Sequence, residues 1–597
     1  MNTHLLPELI LSVTFFVAGI ITAVVVSKTK VRSSAWAKPL NSIIAGTFLS
    51  LVPLFLSAFQ SGFSDNVWGK GTRLLVALQA TIQVFTVNAD FGMIQANLSG
   101  ASGWIATAYL AFAAMLYVFA PILTAGFLLS YVQNFSAYQK YLLNRTKDVF
   151  VFSKLNERSL ALAKSELETH KANHKKAIIV FADVNVSDKE PSAEWIEEAK
   201  GIGAILFKED ILTVRWNLHS KKSTIRFFVI GDDEPENMEH TMTLHEKYAG
   251  RQGTQLYMLS STLNSSLLLS GKEGEIKLRR VDEIQSLVYR TLYDNGTRIF
   301  DSAHREGDIK AINVVLVGLG RHGSEMLKAL TWFGQMEGYA LTIHAYDIDY
   351  TTEDKLRQSC PELLDDDHNG KNIPGEAAYS VTFHCGYDVK TAKFSNSVSS
   401  VKNPTYVLVS LGSDEINIET AVHLRTLFKR QGYEPIINAI IWTSKSKSDL
   451  NSAANFKNEK YEVECIGDLE TLYSDSVIVN SDLGKIARER HCKWGIEEDF
   501  YRYEYNYRSS IASAIHKKMR LHCEIPGTEK TPDMRTEEEK QTCRVLEHRR
   551  WNAYMRSEGY SYSGSLEKSS RCDLAKLHHC LVPFEELSEE EKAKDDD

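Results

Sequence analysis

No cysteine occurs before Cys360, and none of the eight in the chain lies in a C-x-x-C pair. A zinc ribbon or a disulfide framework needs close, patterned cysteines, so neither is expected. The thiols read as reduced cytosolic groups, and no metal site is expected. Excess positive charge is missing too. The 597-residue chain carries a net charge of −8, which offers no electrostatic footprint for nucleic acid. Charge of either sign is scarce at the N-terminus: residues 1–150 hold nine Lys/Arg and four Asp/Glu, against 59 and 72 in the remainder. A mildly basic, apolar head therefore precedes an acidic body. At roughly 100–200 residues per domain, the length implies three or four domains.

The head contains three long apolar runs, residues 5–26, 39–59 and 104–132. Each can cross a hydrocarbon core about 30 Å thick. The start Met1-Asn2-Thr3-His4, with Glu8 soon after, lacks the basic opening of a signal peptide, so a retained anchor is expected. Trp36, Trp68 and Trp104 stand near the ends of these runs, where interfacial aromatics belong. Lys28, Lys30, Arg32 and Lys38 follow the first run, and Lys140, Arg145 and Lys147 follow the third. Basic loops stay in the cytoplasm, so an even number of crossings separates the two groups. Runs two and three already supply a pair.

Residues 74–94 should therefore not cross. They carry Gln79, Gln83, Asn88 and Asp90, which suits a re-entrant or interfacial helix. Span, re-entrant helix, span is the outline of a pore domain, and Thr86, Asn88 and Asp90 are its candidate pore residues. Thr86-Val87-Asn88-Ala89-Asp90-Phe91-Gly92 resembles the potassium-channel filter Thr-Val-Gly-Tyr-Gly but lacks its first glycine. A ring of Asp90 would favour cations.

From Asp148 onward short apolar runs alternate with helical stretches, the pattern of βαβ units around a parallel sheet. Residues 312–317 form a buried-type strand, followed by Gly318-Leu319-Gly320-Arg321-His322-Gly323 and a helix expected from Ser324. Asp347 ends the next strand, 341–346. Strand, glycine turn, helix and acid together make the dinucleotide fingerprint: glycines admit a phosphate, the helix N-terminus attracts it, and the acid bonds a ribose. Arg321 and His322 flank that position. Further strands are expected at 379–384, 406–410, 436–441 and 461–466. An earlier set at 148–152, 177–181, 204–207, 225–230 and 256–259 shares the motif Gly231-Asp232-Asp233-Glu234 with Gly412-Ser413-Asp414-Glu415. That repetition points to an internal duplication. The first copy, which opens Ser153-Lys154-Leu155-Asn156-Glu157-Arg158-Ser159, has no glycine turn.

A membrane pore followed by two Rossmann-like units resembles the RCK (TrkA-N-like) ligand-gated channels and transport regulators, over roughly residues 148–490. The resemblance implies paired units that assemble into a ring, as a homotetramer, whose expansion pulls on pore helices.

Residues 497–518 read as a helical connector with an aromatic cluster from Phe500 to Tyr507. Beyond it stand Glu547-His548-Arg549-Arg550-Trp551-Asn552-Ala553, Gly559-Tyr560 and Lys576-Leu577-His578-His579-Cys580-Leu581-Val582-Pro583-Phe584. These resemble the RyR domain, a small helical module, over about residues 535–597. The pattern departs at His579, where proline is usual. Trp551 and Tyr560 offer stacking faces, and Arg550, Lys576 and His578 offer donors, with His548 beside them. Such a mixture suits a phosphorylated, base-bearing small molecule. The competing role for Trp551 and His548 is the small domain's own core.

The expected architecture is an α-helical transmembrane region (1–135), two tandem Rossmann-like domains (148–300 and 311–490), a connector (497–530) and a small, mostly α C-terminal module (535–597). The expected function is a channel or pore-forming effector in a bacterial inner membrane, its large C-terminal region cytoplasmic. A nucleotide-like ligand would open it, with ions and lipid as further partners and a role in antiviral defence. A housekeeping potassium or cation channel, or a transport regulator, controlled by NAD(H) or adenine nucleotide competes with that reading. A membrane-tethered NAD-dependent oxidoreductase is third, weakened because no catalytic constellation accompanies the glycine turn.

Overall fold

The computed structural model describes residues 5–28, 39–59, 63–98, 103–184, 191–261, 276–364 and 379–596. Lys30, Arg32, Trp36 and Lys38, on which the orientation argument partly rests, lie outside the described residues. The chain divides into two compact bodies. One comprises Met1–Lys147, Val180–Ser192 and Gly203–Ser223; the other comprises Asp148–Ile179, Ala193–Ile202 and Thr224–Asp597.

The head begins with helices α1 (Leu5–Lys28), α2 (Pro39–Ala58), α3 (Val67–Phe85), α4 (Gly92–Asn97) and α5 (Trp104–Leu143). Three helices are long and apolar enough to cross a membrane, over Leu6–Val25, Pro39–Ala58 and Trp104–Phe127. α1 and α2 cross where two glycines meet. A Cβ added at Gly19 would stand 2.8 Å from the Gly46 Cα, and Ser50 donates to the Ser12 carbonyl at 2.7 Å nearby. Small residues let apolar helices approach closely enough for dispersion to hold them. α3 starts earlier than the polar pattern implied, because Asn66 caps it by accepting from the Gly69 amide at 2.7 Å. Its Ala77, Ala80 and Val84 pack with Leu51, Leu54 and Phe55 of α2 and with Tyr109, Ala113 and Leu116 of α5.

Two parallel sheets follow. The first comprises β1 (Asp148–Phe152), β2 (Ala177–Phe181), β3 (Ile205–Leu206), β4 (Ile225–Val229), β5 (Thr254–Leu259) and β6 (Lys277–Val281), in the order β3-β2-β1-β4-β5-β6. The hairpin strand β7 (His304–Glu306) runs antiparallel to β8 (Ile309–Val317). With β8 stand β9 (Tyr339–Asp347), β10 (Tyr379–Cys385), β11 (Tyr406–Val409), β12 (Ile436–Ile440) and β13 (Glu464–Ile466), in the order β10-β9-β8-β11-β12-β13. Numbered within each sheet, both orders read 3-2-1-4-5-6, the doubly wound dinucleotide-binding arrangement. Central strands read as continuous apolar runs because both faces are covered. Val315, Val407 and Ala439 of three successive strands pack with Leu424 and Phe428 of the helix Asp414–Arg430.

After the sheets in the chain come the helices Glu504–His522 and Glu537–Ser557, then β14 (Ser561–Tyr562) and β15 (Leu577–His578), a short parallel pair. This C-terminal module is tied to the second sheet's domain. The Cys360 thiol donates to the Ser557 carbonyl at 3.2 Å, the Tyr562 amide to Glu362 at 2.9 Å, and His516 Nε2 lies 2.7 Å from the Gln335 carbonyl.

Candidate functional site

The glycine turn joins β8 to the helix Arg321–Phe333, which begins three residues before the expected Ser324 because Gly320 is its N-cap. Gly318 takes φ +87°, and a Cβ there would stand 2.4 Å from the Ser410 carbonyl oxygen. At Gly323 a Cβ would come within 1.9 Å of the Gly318 oxygen. These two glycines are demanded by the fold itself. Gly320 differs, since a Cβ there would meet nothing within 4 Å. That open face at a helix N-terminus is where a phosphate would approach.

Asp347, half-buried at the end of β9, accepts from the Leu319 amide at 2.6 Å and from the Asp349 amide at 2.7 Å. Both carboxylate oxygens keep a further lone pair for a ribose hydroxyl. The Arg321 guanidinium donates to Ser261 Oγ. His322 lies 5.2 Å from the Trp442 ring centroid, and burial lowers its pKa. Of the predicted set, Gly318, Gly320, Gly323 and Asp347 come together around the turn, while Arg321 and His322 face neighbouring elements.

The first sheet fills the corresponding place with side chains. Asn156 caps the helix Glu157–Ala172 in a reciprocal box with Ser159 and donates to the Ile230 carbonyl at 2.7 Å. Lys154 pairs with Glu236 at 2.9 Å, and Arg158 with Glu283 at 3.0 Å and Asp232 at 2.9 Å. The turn of the first copy is thus closed by its own cations.

In the C-terminal module the predicted residues separate into two groups. Arg550 is buried and pairs with Glu547 at 2.7 Å, and Glu547 also accepts from Ser513 at 2.8 Å. His548 lies between the Val582 carbonyl (2.8 Å) and the Asp595 carboxylate (3.2 Å). His578 accepts from the Cys580 amide at Nδ1 (3.1 Å), and burial holds its pKa down to about 3. His578 is therefore a neutral ring, not the cationic donor its sequence position implied. Lys576, with φ +51°, donates to the Glu558 carbonyl at 2.6 Å, satisfying an orphan acceptor at a helix end. Trp551 and Tyr560 remain half-buried. Tyr560 lies 6.5 Å from Tyr505 and donates to Asp573 at 3.4 Å; Arg571 donates to the same carboxylate at 3.0 and 3.2 Å. Tyr505, Trp551 and Tyr560 with Arg571 form the mixture of aromatic faces and guanidinium that suits a nucleotide.

In the head, α3 ends at Phe85 with Thr86 as its C-cap, and the chain turns through Val87 at φ +61° before α4. A β-branched residue in that region costs about 1–3 kcal/mol. Thr86, Asn88 and Asp90 are exposed on this turn. Asp90 accepts from the Gly92 amide at 2.7 Å, and the Tyr117 hydroxyl of α5 donates to the Asp90 carbonyl at 3.4 Å. Past its apolar part, with Pro121 inside it, α5 continues into a docking contact. Tyr138 donates to Glu209 at 3.2 Å and stacks edge-on against Phe207 at 4.9 Å. Tyr141 packs edge-on against Trp216 at 5.6 Å and along His219 at 5.5 Å.

Several site residues escaped the sequence reading. Arg571 and Tyr505 belong to no expected motif, although the aromatic cluster 500–507 was visible. A cleft between β6, the helix Glu283–Asp301 and the connector was also missed; Arg279, Arg280, Gln285, Tyr289, Glu504 and Tyr507 line it. Arg279 lies over the Tyr507 ring at 4.3 Å. No protein-family model matches the chain, and no curated protein matches it.

Proposed function

We propose that the chain is a ligand-gated membrane channel or pore-forming effector, opened by a nucleotide-like small molecule held by its α/β or C-terminal domains. In this reading it crosses a bacterial inner membrane three times, keeps its large C-terminal region in the cytoplasm, and assembles as a homotetramer serving antiviral defence. The observation that carries it is α5. A single 40-residue helix contains one of the three apolar spans, holds the Asp90 turn through Tyr117, and ends docked by Tyr138 and Tyr141 on Phe207, Glu209 and Trp216. Span, unwound polar turn and span supply the outline of a pore, and the exposed Asp90 supports passage of cations.

Ligand can open such a pore only by binding one conformation better than the other. Turning a 99% closed population into a 99% open one takes on the order of 5.5 kcal/mol of differential affinity, which several subunits share. The test is planar-bilayer recording of the full chain with a panel of NAD, ADP-ribose, cyclic dinucleotides and adenine nucleotides. The expected result is a conductance that appears with one of them and is lost in Tyr141→Ala, while calorimetric ligand binding persists. A chain silent to every member of the panel overturns the proposal.

A further inference from the structure

The end of β15 and the two residues after it are three consecutive residues able to ligate a metal. His578, His579 and Cys580 are all buried, and one ligand atom from each lies within 4.8 Å of the others. Beside them is Glu591 of the terminal helix Glu589–Lys592. Its two oxygens face the cluster, one 3.5 Å from Cys580 Sγ and the other 3.9 Å from His579 Nε2. The His579 ring is 5% exposed, yet neither of its nitrogens has a hydrogen-bond partner. A buried imidazole with both nitrogens unsatisfied carries a desolvation cost of about 1–3 kcal/mol. Stacking on His578, 4.8 Å away and nearly parallel, satisfies neither nitrogen. The apolar residues Val582, Phe584 and Leu587 pack around Cys580, and the nearest carboxylate to its thiol is Glu591, with Asp595 and Lys594 further out.

We propose that His579, Cys580 and Glu591, with His578 as fourth donor, form a binding site for a zinc-class divalent cation. Two imidazoles, a thiolate and a carboxylate are a donor set for zinc. Metal–ligand bonds of about 2.0–2.3 Å put tetrahedral donors roughly 3.3–3.8 Å apart; the Cys580–Glu591 separation of 3.5 Å already falls in that range, and the remaining donors close in by up to about 1 Å. On coordination the Cys580 thiol releases its proton to solvent, and His578 exchanges the Cys580 amide for the metal at Nδ1. Lys594, which now donates to Glu591, turns to water. The bound ion clamps the 577–582 loop to the end of the chain.

Cobalt(II) is the probe. The full chain, purified in detergent and stripped with a chelator, is titrated with Co²⁺ and then back-titrated with Zn²⁺. One equivalent per chain is expected, with a thiolate-to-cobalt charge-transfer band and the visible bands of a tetrahedral ion, both displaced by zinc. Cys580→Ser removes the charge-transfer band. His579→Ala and Glu591→Gln each weaken binding on the order of 100-fold, since even outer partners of metal ligands are worth 10–100-fold. Cys465→Ser, away from the cluster, keeps the full spectrum. A wild-type chain without the tetrahedral spectrum overturns the site, as does a Cys580→Ser chain that retains the thiolate band. Circular dichroism of each variant, recorded without metal, separates lost ligation from lost fold.

Discussion

The two α/β halves share one strand order and differ at one turn. In both, the loop after the fourth strand begins a helix whose fourth residue past the cap is an asparagine. Asn237 accepts from the Gly231 amide at 2.9 Å and donates to the Leu259 carbonyl at 3.1 Å, bridging β4 to β5. Asn417 accepts from the Leu411 amide at 2.6 Å and donates to the Ile440 carbonyl at 2.7 Å, bridging β11 to β12. A buried amide that repeats in this way marks a duplicated scaffold. Against that constancy, Gly318–Gly323 leaves an open helix N-terminus, whereas Lys154, Asn156 and Arg158 close the other. The scaffold has been kept twice and the open glycine turn once. One half therefore keeps an open glycine turn, and the other fills the same place with side chains.

The largest way to break this contrast is Gly323→Val. Its Cβ cannot avoid the Gly318 carbonyl oxygen, so a loss of more than about 4 kcal/mol is expected in thermal unfolding of the solubilised chain. Gly320→Ala, in open space, should stay within about 0.5 kcal/mol. A comparable loss from both would show that the turn serves packing alone.

Glu166 comes next. Its side chain is wholly buried, 4.0 Å from Arg226 and 3.9 Å from His170, and burial followed by repulsion from Asp475 pushes its pKa up to about 9. The folded chain keeps a proton there that the unfolded chain loses near 4.5. Stability from this group therefore falls as pH rises between those values and levels off above about 9. Glu166→Gln should abolish that slope and raise stability on the order of 3 kcal/mol at pH 8; denaturant unfolding across pH 5–9 reads it, and an unchanged slope refutes it.

Asn237→Ala and Asn417→Ala should each cost about 1–3 kcal/mol. If matched unfolding curves differ by more than about 1 kcal/mol, the two bridges are not equivalent. Smallest is Arg158→Ala, whose partly exposed pairs are worth less than about 1 kcal/mol. A larger loss would give the closed turn a structural weight beyond filling space.

Much of this was legible in the residues. Strands 148–152 and 177–181 fall where the apolar runs placed them, and β8 to β12 differ only by a few residues at their ends, because buried parallel strands carry their signal locally. β6 was missed: Lys277-Leu278-Arg279-Arg280-Val281 is mostly charged, and it becomes a strand through its pairing with β5. The hairpin strand His304-Arg305-Glu306 is fully exposed and has no periodicity to read. The C-terminal module shows the same limit from the other side. Arg550 and His578 look like surface donors in the sequence, but a partner one helical turn away, itself held by the distant Ser513, and a backbone amide take them up: Glu547 for the arginine, and the Cys580 amide for the histidine. Arg571 and Tyr505, 66 residues apart in the chain, form no spacing that a motif could hold.

A helix resists stretching far more than bending, so α5, about 60 Å long at 1.5 Å per residue, acts as a stiff rod. Pro121 gives that rod one soft joint, because its ring displaces the bond that would have run to the carbonyl four residues back. That residue is Tyr117, the one whose hydroxyl latches the Asp90 turn. Any bend of α5 at Pro121 would therefore fall one turn from the residue that holds the Asp90 turn.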